Sequence, residues 1–176
     1  MNKLLHAAIL LGIGVPLMSS PASAQQRQAD ALVITAQNLM AGDERHQEQA
    51  DPNALLPGDV VLFRLTFTNR LDVPVRNVEF KDPLPAGLRY LGSSATADRD
   101  DVVIAYSIDG GRTFLADPLI EEVIDGERVT RPAPPEMYTH IRWLVRDWVQ
   151  PGARVTAEFR AQLPAAEAPE EPGESD

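Results

Sequence analysis

Cysteine is absent from this 176-residue chain. That excludes disulfides, thiolate metal sites and a cysteine nucleophile. Histidine is nearly absent, with three residues. Beyond the leader only His46 and His140 remain, far apart in sequence, where a zinc site needs three or four converging ligands. Aromatic residues make up 6%. Serines are few after residue 24 (Ser93, Ser94, Ser107, Ser175), and no G-x-S-x-G elbow occurs. Positive charge is scarce as well: 16 Lys and Arg against 26 Asp and Glu give a net charge of −10. Such a surface repels phosphate backbones and anionic lipid, which argues against nucleic-acid binding. Long apolar runs are missing too. The longest, Leu4 to Val15, is broken by His6 and is shorter than the roughly 20 residues that span a bilayer.

That run belongs to a leader. Lys3 supplies a positive start, Pro16 ends the apolar stretch, and Ala22-Ser23-Ala24 is the small-residue pattern that signal peptidase recognises. Residues 1–24 are therefore expected to be a signal peptide, cleaved after Ala24. The product is expected to be periplasmic or extracellular, with no membrane insertion after cleavage. Residues 25–30 form a short lead-in. At the other end, Glu167, Glu170, Glu171, Glu174 and Asp176 lie among prolines and alanines, so residues 164–176 are expected to be a disordered acidic tail.

What the chain does have is alternation with period two. Val61, Phe63, Leu65 and Phe67 are apolar against Arg64, Thr66 and Thr68. Val155, Ala157, Phe159, Ala161 and Leu163 repeat the pattern. Both stretches predict antiparallel strands with one buried face, and each follows a Pro-Gly pair, Pro57-Gly58 or Pro151-Gly152. Weaker strand signals occur at Leu32 to Thr35, Val75 to Phe80, Leu88 to Leu91, Val102 to Ile108 and Tyr138 to Val145. Pro74 marks the second of these as an edge. Asp109-Gly110-Gly111 predicts a hairpin returning at Thr113-Phe114, and Asp125-Gly126 predicts another between Val123-Ile124 and Arg128 to Thr130. Residues 41–56 form a polar connection with some helical character. The expectation is one all-β domain over residues 31–163, an immunoglobulin-like antiparallel β-sandwich of about seven to nine strands.

Pro57-Gly58-Asp59-Val60-Val61, Thr68-Asn69 and Val78-Glu79-Phe80-Lys81-Asp82-Pro83-Leu84-Pro85-Ala86-Gly87-Leu88 resemble the family called domain of unknown function eleven. These are conserved-repeat, immunoglobulin-like domains of bacterial envelope and surface proteins. Tyr106 to Phe114 and Tyr138 to Trp143 resemble versions from Gram-negative envelopes, so the resemblance covers about residues 57–163. It implies a sandwich fold without an established catalytic site. Family members are often tandem arrays, whereas this chain carries one copy. Ser107-Ile108-Asp109-Gly110-Gly111-Arg112-Thr113-Phe114 also resembles the Asp-box of sialidase-type propellers, in which the Asp and Thr brace a hairpin; a propeller needs several copies, so the hairpin role is expected here.

Four candidate features remain. Asp98, Asp100 and Asp101 could supply calcium oxygens, but no central glycine or bidentate glutamate accompanies them, and a solvated acidic loop is the expectation. An enzyme would require Asp98, Asp100, Asp101 and His140 to meet in a cleft. Glu121 and Glu122 point to opposite faces of a strand and cannot flank one bond. Trp143, in phase with Ile141 and Val145, belongs in the core, whereas Trp148 before Pro151-Gly152 is the residue whose exposure decides whether a sugar can stack there. The expected function is that of a non-catalytic envelope module that binds another envelope protein or itself, without metal or cofactor. Glycan binding through Trp148 is the alternative.

Overall fold

A computed structural model describes residues 31–49, 51 and 54–165. The expected leader, residues 25–30 and most of the expected tail lie outside the described residues. Among the described residues the architecture is an all-β antiparallel sandwich of ten strands, more than the seven to nine expected, because several are very short. Strands β1 (Leu32–Asn38), β2 (Val60–Thr68) and β10 (Arg154–Gln162) run side by side. On the far side of β10 lie two short strands, β4 (Arg89–Tyr90) and β5 (Thr96–Ala97). The facing three-stranded sheet has the order β3 (Val78–Pro83), β9 (His140–Val145), β6 (Val102–Ser107). The two-stranded sheet of β7 (Leu119–Ile124) and β8 (Glu127–Pro132) pairs with neither. A short helix, α1 (Glu44–Gln47), lies in the polar connection where helical character was expected.

The alternating runs became β2 and β10, which pair from Val60↔Gln162 to Thr68↔Arg154. Their apolar sets share one face, so Leu65, Val155, Ala157, Phe159 and Ala161 are fully buried. Each Pro-Gly pair makes a turn whose positive φ only glycine takes freely, 90° at Gly58 and 74° at Gly152. Each turn is also tied to the end of the other strand. Gly58 N–H donates to the Leu163 carbonyl at 2.7 Å, and Gly152 N–H donates to the Asn69 carbonyl at 2.8 Å. Asn69, buried beyond β2, donates its amide to the carbonyls of Val73 and Val149, both at 2.9 Å, and accepts from Leu71 N–H at 3.1 Å. This is the turn-capping job its place after the strand suggests.

The facing sheet contributes Phe80, Ile141, Trp143 and Val145 to the core. Trp143 stacks on Phe80 at 5.8 Å, meets Phe159 at 6.0 Å and donates its indole N–H to the Thr96 carbonyl at 3.1 Å. The strand expected at Val75 to Phe80 begins only at Val78, because Asn77 has φ 53° and breaks the extended run. Val75 still makes a bridge to Val149. β3 is an edge, as Pro74 implied. The Asp109-Gly110-Gly111 hairpin closes at Tyr106 and Leu115, one step wider than expected, since the Asp109 side chain fills the loop.

The contrast between the two tryptophans gives a direct test. Trp143 is fully buried and Trp148 is 49% exposed. Trp143→Ala is expected to cost about 4 kcal/mol in urea unfolding, close to the whole stability of a marginal domain. Trp148→Ala is expected to cost under about 1 kcal/mol.

Candidate functional site

Trp148 sits in the connection between β9 and β10. Val149 beside it is buried and bridged to Val75, with N–H···O distances of 3.1 and 2.7 Å in the two directions. Alternation along this extended segment turns Trp148 outward. Its position is fixed from below by the acidic loop. Arg99 donates to both oxygens of Asp101, at 2.7 and 2.8 Å, and Asp101 Oδ2 also accepts Asp147 N–H at 3.0 Å. The hydrogen bonds from Arg99, outweighing burial, hold the Asp101 carboxyl below the usual range, so it stays ionised and keeps the clamp closed. Trp148 N–H donates to Asp147 Oδ1 at 2.7 Å, and the Arg76 guanidinium lies 5.2 Å from the indole centroid. The result is a held aromatic face beside a cation, with exposed Leu71 and Val73 in the neighbouring loop that Asn69 ties to Val149.

The other sequence candidates do not gather. Asp98 accepts Thr156 N–H at 2.9 Å and so caps the edge of β10, while Asp101 is occupied by Arg99. Among the described residues no three His, Cys, Asp or Glu converge as a metal site. His140 pairs with Ser107, at the opposite end of β6 from Asp101. The strand between them spans roughly 17 Å, so the cleft that an enzyme would need is not formed from these residues. His140 instead lies against Gly111 and within 3.2 Å of the Thr139 hydroxyl. Glu121 and Glu122 do point to opposite faces of β7; Glu122 pairs with Arg131 and Glu121 lies near Arg128.

The Asp-box-like loop is a brace. Asp109 Oδ1 accepts from the Ser107 hydroxyl at 2.7 Å and Oδ2 from the Thr113 hydroxyl at 2.7 Å, with further bonds from Thr113 and Arg112 N–H. These bonds, the Thr113 backbone first, hold the Asp109 carboxyl far below its ordinary value. The loop borders a cavity of about 240 Å³ with Tyr106, Leu115, Pro118 and Leu119. Burial, then the Tyr90 hydroxyl at 3.1 Å, pushes the Tyr106 phenol well above its ordinary 10.

Sequence reasoning missed a buried polar cluster. His46, 1% exposed, places Nε2 2.7 Å from Oδ2 of the fully buried Asp59. Asp59 also accepts from Asn38 Nδ2 at 2.8 Å, Leu56 N–H at 3.0 Å and Arg45 Nη2 at 3.1 Å. The cluster locks α1 and β1 onto the Pro57-Gly58 turn. The separation of His46 from Asp59 by a loop without periodicity hid it. Comparison of the chain with protein-family models, with curated proteins and with solved structures finds no match in any of the three.

Two buried carboxylates carry opposite pH signatures. Burial pushes Asp59 up, but the bonds from Leu56, Asn38 and His46 prevail and hold it below its ordinary 3.8. Its stabilisation is therefore present at neutral pH and lost as pH falls below that value. Asp82 is raised above 3.8 by burial, only partly offset by His140, so it costs stability as pH rises. Asp59→Ala is expected to lose about 3 kcal/mol at pH 7. Asp82→Asn is expected to raise Tm at pH 7 and to match the parent below 3.8; calorimetry across pH checks both.

Proposed function

We propose that this chain is a non-catalytic, exported immunoglobulin-like module of the bacterial cell envelope, related to the domain-of-unknown-function-eleven family, that acts by binding other proteins. The observation that supports this reading most is the β7–β8 hairpin. Its strands pair only with each other, and an isolated two-stranded hairpin is marginal in water. It nevertheless exposes Leu119 and Val123 on one face and Ile124 and Val129 on the other, with Val123 68% exposed. Asp125 and Gly126, at φ 52° and 85°, make the tight reversal at its tip. Apolar side chains held in water on an arm outside the core suit a surface that is covered by a partner. The ionised groups near the candidate features are meanwhile engaged in bracing loops, which supports a non-catalytic role. Among the described residues no helix is long and apolar enough to cross a membrane.

A photo-crosslinker placed at Val123 in envelope preparations is expected to trap a defined protein, and Leu119→Asp, on the same face of the arm, to abolish that adduct while Tm moves by less than about 2 °C. An adduct pattern identical to that of a crosslinker at exposed Arg160, or one indifferent to Leu119→Asp, counts against the reading.

The half-exposed Trp148 favours a second reading, glycan binding. With Trp143→Phe leaving Trp148 as the only indole, titration with envelope polysaccharide is expected to quench and shift its emission, and Arg76→Ala to weaken that response severalfold. An unchanged spectrum removes this reading.

A further inference from the structure

Open sheet edges are hazards that folds normally block with short strands, charge, proline or cover. Among the described residues, each edge but one uses such a device. β4 and β5 are two residues each. β3 carries Glu79, Lys81 and Pro83. β6 is met by Leu115 from the returning loop. The β7–β8 arm carries Glu121, Glu122, Arg128, Arg131 and Pro132. β1 alone has none of these: its seven residues, Leu-Val-Ile-Thr-Ala-Gln-Asn, include no charge and no proline, and Leu32 to Asn38 pair continuously with β2 without a bulge.

Thr68 N–H donates to the Ala31 carbonyl and Leu39 N–H to the Val60 carbonyl, both at 2.8 Å. Antiparallel pairing alternates, so the odd-numbered residues of β1 bond to β2 and Leu32, Ile34, Ala36 and Asn38 turn their N–H and C=O groups to the open side. That set is self-complementary. A second β1, antiparallel about a twofold axis through Thr35, places Ile34 opposite Ala36 and Leu32 opposite Asn38, which bonds every outward group without bringing any charge against a like charge. It also covers Ile34, which lies on the same face as core-packed Leu32 yet is 47% exposed.

We propose that β1 is a homodimerisation edge, and that two copies of this chain join their larger sheets into one continuous sheet through antiparallel β1–β1 pairing centred on Thr35. This rests on the interaction-module reading and names one partner, a second copy of the chain.

The test is sedimentation velocity on the exported chain at concentrations around 100 μM, a range suited to a small edge contact. The parent is expected to be a concentration-dependent dimer. Thr35→Lys and Thr35→Glu, each alone, are expected to weaken it about fivefold at low salt by placing like charges opposite one another, and their mixture to restore it as a heterodimer. Ile34→Pro removes an outward N–H without touching the ladder to β2, so it is expected to give a folded monomer. A monomeric parent overturns the proposal. So does a dimer indifferent to both charge variants, or a mixture no tighter than either variant alone. If the parent is monomeric while the Val123 crosslink still depends on Leu119, self-pairing fails and the wider reading stands.

Discussion

The ladder between β2 and β10 is the constraint on which the rest of this molecule depends. The two strands are far apart in sequence, yet they pair along their whole length and place Leu65, Val155, Ala157, Phe159 and Ala161 on one dry face. A one-residue slip of β10 would turn Val155, Ala157, Phe159 and Ala161 toward solvent. Register is therefore held at both ends, and by the same device: a Pro-Gly turn whose glycine N–H bonds the terminal carbonyl of the other strand. Phe63 stacked on Phe159 at 4.8 Å adds a cross-strand pair on the same face. Once this frame exists, Trp143 from the facing sheet has a surface to close against.

The polar groups buried in the fold serve that frame. Asp59 follows one turn and Asn69 accepts the glycine N–H of the other, and each gathers several donors or acceptors from the segments around it. A buried polar group is costly unless it is bonded, so each such residue fixes the path of the loops around it. Ser107 and Asp109 do the same for the hairpin after β6. Several of the polar and charged residues of the described chain are occupied in this way.

How far the sequence disclosed this depended on range. Period-two runs and Pro-Gly turns act over a few residues, so β2, β10, β9 and the Asp125-Gly126 hairpin were legible, as was the burial of Trp143. The break at Asn77 was not, because asparagine at positive φ looks no different in sequence from asparagine in a strand. His46 was not legible as a core residue either. It sits in a polar stretch, and only the folding of α1 across the Pro57-Gly58 turn brings it to Asp59. The short strand β4 falls within the extended stretch expected at Leu88 to Leu91, whereas β5 exists because β10 offers it an edge, and no local pattern announces that.

The same accounting separates the surfaces that stability explains from those it does not. Val61, Leu65 and Phe159 are apolar because the sandwich needs a core. The arm's Val123 and Ile124 and the uncharged edge of β1 contribute little to that core, and each carries a cost in water: exposed apolar area in one case, unpaired strand hydrogen-bonding groups in the other. Charged replacements at these positions would solubilise the domain without disturbing Trp143 or the β2–β10 ladder. Their apolar and uncharged character is thus a property the fold does not demand, which is what a contact surface requires.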